Sequence, residues 1–168
     1  MPKICHRMAA LGSLTSSEPG SIAGVAVPYN RYSSPIHNEG PRVFRERIEP
    51  GALTTNGDTA MYVQHDRSGV PLARVGAGTM SFSESSEGLR FTATLPDSRP
   101  DVIEALQRGD LSGAVSIGFM VDDDTWQHME QQSLRDVTAG RIVELSLVTA
   151  GAYPDARGTY IPKGNAHG

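Results

Sequence analysis

A serine within Gly113-Ala-Val-Ser116-Ile-Gly118-Phe119 is the first residue in this chain whose setting could serve chemistry. Val115 and Ile117 flank it, so it sits on a strand. Gly118, two residues on, leaves the same strand face without a side chain. That bare face would let a substrate backbone approach the hydroxyl. The bland alternative is a strand serine beside a structural glycine. The pattern is not the nucleophile elbow of α/β-hydrolases, Gly-x-Ser-x-Gly on a tight strand-to-helix turn. Here the first glycine is one residue too far away, and β-forming residues follow the serine.

A serine nucleophile needs a base. The only lysines, Lys3 and Lys163, lie near the ends. The choice falls among five histidines. His6 and His167 belong to the tails, His37 to a Pro/Ser/Asn loop, and His128 to a polar stretch. His65 alone closes a buried-looking strand and precedes a turn, where its ring could be held yet reach a substrate. A third group should orient that ring. Asp66 adjoins it in sequence. Glu144 is a lone carboxylate inside Ile142-Val143-Glu144-Leu145-Ser146-Leu147-Val148, a costly place for a charge without a partner. An edge position facing water would also accommodate it.

The elements that must position these residues are short. The chain has 168 residues, enough for one domain with its own core, and its 18 Gly and 11 Pro favour many turns over a helical bundle. Strands are expected over Ile22 to Val27, Val43 to Ile48, Ala60 to Gln64, Val70 to Val75, Thr79 to Phe82, Gly88 to Leu95, Ala114 to Val121 and Arg141 to Thr149. One clear helix is expected, capped by Ser98, with Val102, Ile103 and Leu106 as its apolar stripe and Gly109 as its stop, in a mostly β domain with one or more helices packed on it. Asp122 to Asp124 reads as an acidic turn, and residues 125 to 140 are ambiguous. Residues 1–21 read as a flexible N-terminal arm, 22–162 as the folded domain and 163–168 as a flexible tail.

The formal net charge of −4 weighs against a nucleic-acid binder. A lone cysteine, Cys5, forms no internal disulfide. No apolar run approaches the roughly 18 residues of a membrane span, and the N-terminus lacks a convincing signal peptide. No His-Glu-x-x-His or paired-cysteine spacing points to a metal, and no Gly-rich loop points to a phosphate cofactor. Neither metal nor cofactor is expected.

Five segments, in order, resemble the prohead protease family of tailed phages, whose fold is like that of herpesvirus assemblins. They are Phe44-Arg-Glu-Arg-Ile-Glu-Pro50-Gly51-Ala52-Leu53, Gln64-His65-Asp66, Glu87-Gly88-Leu89-Arg90-Phe91 running to Leu95-Pro96, Gly109 to Phe119, and Glu144 to Val148. The resemblance implies a mostly β fold with helices (α+β), a closed or nearly closed β-barrel surrounded by helices. It implies a serine endopeptidase with Ser116 as nucleophile, His65 as base and Glu144 where assemblins place a second histidine. It further implies the major capsid protein or its scaffold segment as substrate, self-cleavage, action inside the assembling prohead in the host cytoplasm, and room for a homo-oligomer. Two departures stand out: Ala150-Gly151-Ala152-Tyr153 where the family often has Asn-Pro-Ala-Tyr, and Leu72-Ala73 where Leu-Gly is common. Arg157 is the nearest downstream candidate for an arginine near the oxyanion. The rival to an enzyme is a non-enzymatic β-barrel module of capsid assembly that has kept the fold and lost activity.

Overall fold

The computed structural model describes residues 3–8, 19–149 and 158–163. Strands β1 (Cys5–Met8), β2 (Ser21–Pro28), β3 (Phe44–Ile48), β4 (Leu53–Thr54), β5 (Ala60–Val63) and β6 (Ala73–Arg74) come first. A 3₁₀ turn (Val75–Ala77) leads to β7 (Met80–Glu84) and β8 (Gly88–Thr94). Helix α1 (Pro100–Arg108), β9 (Ala114–His128), β10 (Ser133–Val148) and β11 (Gly158–Tyr160) complete the order.

Two sheets result. The larger runs β1-β9-β10-β5-β6, with β3 and β4 also paired to β10, and the smaller runs β11-β2-β8-β7. Residues of both sheets share one apolar core: Ile22, Val27, Leu89 and Phe91 from the smaller, Val115, Ile117, Phe119, Leu145 and Leu147 from the larger. The alternation expected of Gly88–Leu95 holds, with Leu89, Phe91 and Ala93 buried.

The barrel expectation is overturned. The sheets do not close on one another: β1 and β6 end the path through the larger sheet, β11 and β7 end the smaller. One edge of β10 is used three times in succession, by β3, β4 and β5, all parallel. Side chains from both sheets fill one apolar core, so closure is not needed to bury it. The surrounding helices are absent too, since α1 is the one α-helix among the described residues. Its N-cap is Arg99 rather than Ser98, with Pro100 in the first turn; Gly109, at φ 84°, ends it as expected.

The acidic turn expected at Asp122–Asp124 is replaced by strand, and the ambiguous residues 125–140 are strand for most of their length. They form a long hairpin, with β9 and β10 paired antiparallel from Ala114↔Val148 out to His128↔Ser133. Aspartates are poor strand formers. Here arginines on the neighbouring strand hold them: Arg141 with Asp122 at 2.8 Å and Arg135 with Asp124 at 2.7 Å. Val70–Val75 contributes only the two-residue β6 and the start of the 3₁₀ turn.

Within the stretch expected as an N-terminal arm, Cys5–Met8 pair with β9, with Cys5 opposite Phe119 and His6 opposite Gly118. Arg7 anchors this strand. It is buried, and it bonds Glu46 at 2.7 Å and both oxygens of Glu39 at 2.9 Å. Glu46 in turn meets Arg135 at 3.1 Å. Residues 1–2, 9–18, 150–157 and 164–168 lie outside the described residues.

Candidate active site

The site is built on one face of the β9–β10 pair. Opposed residues share a face, so the pairs Ser116↔Ser146 and Gly118↔Glu144 put all four on one side. Val115, Ile117 and Phe119 take the other side with Leu145 and Leu147, in the core.

Simple alternation would not put Glu144 there. Ile142 pairs with Phe119 and packs in the core, so Glu144, two residues on, would follow it inward. A register shift between Ile142 and Glu144 inserts Val143 without a partner of its own. The bulge changes the phase of the strand, and Glu144 emerges on the Gly118 face. It is completely buried, at 0% exposure, which excludes an edge carboxylate in water.

Gly118 makes room for that side chain. A Cβ on Gly118 would lie 2.7 Å from Glu144 Cγ and 3.0 Å from its Oε1. The bare face inferred from the sequence therefore exists, but Glu144 fills it, and not an approaching substrate.

His65 arrives from the end of β5, which pairs with β10 through Ala60↔Glu144 and Tyr62↔Ser146. Immediately after β5 the chain reverses through two non-glycine residues in the left-handed region, Gln64 at φ 53° and His65 at φ 60°. Each such residue costs roughly 1–2 kcal/mol. The surroundings hold the turn: Gln64 N–H donates to Leu147 O (2.8 Å), Asp66 N–H to Val63 O (3.0 Å) and His65 N–H to Ser146 Oγ (3.2 Å). Gln64 Nε2 also donates to Thr149 Oγ1 (2.7 Å). The strained turn brings the ring back over the sheet, where His65 Nδ1 is in hydrogen-bond contact with Glu144 Oε1.

Asp66 plays no part in this contact. It is exposed, and its Oδ1 accepts from the Ser68 N–H (3.0 Å) and hydroxyl (2.6 Å). Those bonds hold its carboxyl below the usual aspartate range.

Ser116 is buried at 2% exposure on the shared face. Among the described residues no hydrogen bond joins its hydroxyl to His65. His65, Glu144 and Ser116 are thus brought to one face, with the first two in direct contact.

A family model for the caudovirus prohead serine protease matches residues 9–165, nearly the whole chain. The chain belongs to that family. No curated protein and no solved structure matches it. Membership makes this prohead protease a serine peptidase of capsid maturation, acting on capsid protein within the assembling prohead of an infected cell. No helix among the described residues is long and apolar enough to cross a membrane.

One residue of the prohead protease escaped the sequence reading. His6, assigned there to a tail, has its Nδ1 3.2 Å from Glu144 Oε1, and its ring lies 4.2 Å from the His65 ring, centroid to centroid. Burial lowers its pKa from the ordinary histidine value, and the neighbouring His65 adds to this. His6, His65 and Glu144 together form the one group among the described residues with the donors for a metal ion. The alternation of Cys5, His6 and Arg7 hints at a strand, but three residues are too few to call. His128 stands apart, 3.0 Å from Ser133 Oγ and stacked beside Trp126. Arg157, His167 and the Ala150–Tyr153 departure lie outside the described residues.

Proposed function

We propose that this chain is the endopeptidase that cuts capsid scaffold segments, and its own terminal segments, through a Ser116–His65–Glu144 acyl-enzyme mechanism. The observation that carries the reading is the contact of His65 Nδ1 with buried Glu144, on the face that also bears Ser116. Glu144 accepts a hydrogen bond from Nδ1–H and holds the ring in the tautomer with Nε2 unprotonated. Nε2 then takes the Ser116 proton as the hydroxyl attacks the scissile carbonyl, and Glu144 stabilises the imidazolium that forms. His65 afterwards gives that proton to the leaving amine. The acyl-enzyme is released by water, with His65 again the base. The Ser116–Nε2 bond forms when substrate is bound, as catalytic hydrogen bonds often tighten only then.

The test is a fluorophosphonate serine probe followed by peptide mapping, with cleavage of co-expressed capsid protein measured alongside. Label on Ser116, and loss of both label and cleavage in Ser116→Ala, is the expected result. A folded wild-type chain that neither labels nor cleaves would instead be the non-enzymatic assembly module. Self-cleavage is expected before Ile22 and after Pro162, where the sequence carries little apolar patterning. Intact-mass spectra should show trimmed wild type and full-length Ser116→Ala; equal masses after long incubation would exclude it.

A further inference from the structure

His6 has no task in the Ser–His–Glu reading, and it precedes the residues 9–165 that the family model covers. Yet its position is built. Arg7, clamped by Glu39 and Glu46, fixes β1 against β9, and the His6↔Gly118 register turns His6 onto the site face. One donor atom each from His6, His65 and Glu144 then lie within 4.8 Å of one another, and both rings turn Nδ1 toward Glu144 Oε1.

Glu144 adds a second observation. Its side chain is 0% exposed, and Oε2 has no hydrogen-bond partner. A buried carboxylate with an orphan oxygen is costly unless a positive charge compensates it. A transition-metal dication is such a charge. Two imidazole nitrogens and one carboxylate oxygen are also the donor set of three-ligand zinc sites with an open fourth position.

We infer that His6, His65 and Glu144 bind one Zn²⁺-type cation, and that its binding silences the protease. The first half stands on the donor geometry alone; the second rests on the proposed mechanism. Metal–ligand distances of about 2.0–2.1 Å place tetrahedral donors about 3.3 Å apart. The His6–Glu144 separation of 3.2 Å already fits. The tighter His65–Glu144 contact must open as the cation replaces the proton between them.

The silencing follows from the proton count. In the active arrangement the neutral His65 ring carries its hydrogen on Nδ1 and accepts on Nε2. When Nδ1 gives its lone pair to the cation, that hydrogen is lost to solvent and Nε2 gains one, so the ring stays neutral. Nε2–H cannot take the Ser116 proton. The cation also occupies the carboxylate that would stabilise the imidazolium.

The experiment uses the full chain in the Ser116→Ala background, which prevents self-cleavage, and ZnCl₂ as the probe in isothermal titration calorimetry. Co²⁺ serves as the spectroscopic reporter. One Zn²⁺ per chain and the visible absorption of a four-coordinate Co²⁺ site are expected. His6→Ala and His6→Asn should each weaken binding about 100-fold or more, since loss of even an outer-shell partner costs 10–100-fold. His37→Ala and His128→Ala should leave it unchanged. With Ser116 restored and the chain purified in excess Zn²⁺, intact mass should show residues 1–21 retained, EDTA should release peptide cleavage, and the His6 variants should need correspondingly more Zn²⁺ to stay silent.

Absence of one-to-one binding, or binding that both His6 variants leave intact, overturns the inference. Cleavage that persists on a zinc-saturated chain overturns its regulatory half. A chain that binds Zn²⁺ through His6 but never cleaves peptide, even in EDTA, upholds the metal site and refutes the protease mechanism.

Discussion

Gly118→Ala tests whether the service of this glycine is to seat Glu144. The new Cβ would stand 2.7 Å from Glu144 Cγ, 3.2 Å from Cδ and 3.0 Å from Oε1. Carbon atoms pack best at about 3.5–4.0 Å, so the shortfall is about 1 Å. Cγ is mid-chain in a fully buried side chain and cannot swing into solvent. The ladder Gly118↔Glu144, Ile117↔Leu145 resists separation of the strands. The carboxylate must therefore move from His65 Nδ1 by about that distance. Overpacking of this kind costs about 1–3 kcal/mol of stability, and a 1 Å misplacement in a catalytic group about 100-fold in rate. The assay is steady-state cleavage of a capsid-segment peptide in EDTA, with urea unfolding alongside. The fall should appear in kcat, with KM little changed. Gly140→Ala is the control: its Cβ would meet Met120 O at 2.6 Å, away from the site, so it should lose stability while the surviving folded protein keeps its turnover. If Gly118→Ala raises KM and spares kcat, the glycine serves substrate approach, as the sequence alone had suggested. If it matches wild type in both, Glu144 need not be held where it is.

Glu144→Gln keeps the volume and removes the charge, so turnover should fall by orders of magnitude while Asp66→Asn, in its exposed turn with Ser68, does little; a pH–rate profile of both variants decides, and the reverse ranking would make Asp66 the orienting group. In the Ser116→Ala background, Glu46→Ala removes the buried carboxylate shared by Arg7 and Arg135, which keep Glu39 and Asp124, and should cost about 1–3 kcal/mol by urea unfolding, with faster amide exchange in β1; a change under about 0.5 kcal/mol, the scatter of surface substitutions, would show that the network does not anchor the strand. The lowered pKa of His6, which faces His65, Glu144, Glu39 and Arg7, gives a pH signature. The unfolded chain takes up its proton first, so the His6 contribution is complete above pH 6.5 and is lost as pH falls toward the lower folded value. In the Ser116→Ala background, which keeps the chain whole, the protein with His6 should therefore lose stability relative to its His6→Gln variant between pH 7.5 and 5, and parallel denaturation midpoints would contradict this.

Local physics made much of the molecule legible. Alternating apolar residues marked β3 and β8, Gly109 marked the end of α1, and the charge of Glu144 within an apolar run marked a residue in need of a partner. Each signal depends on neighbours within a few positions, where period and conformational preference act. Long-range pairing decided the rest. Asp122–Asp124 extend a strand because Arg135 and Arg141 face them from the neighbouring strand. Barrel or open sheets is a question of which edges meet, and strand periodicity is blind to that. The phase of Glu144 depends on a bulge at Val143 that no alternation rule contains. The meeting of His6, His65 and Glu144 is invisible to spacing for the same reason, since residues 6, 65 and 144 come from three separate strands or strand ends. The types of the chemical groups were written locally. Their shared face was set by the register of β1, β5, β9 and β10, because a shift of a single residue turns a side chain from one side of a sheet to the other.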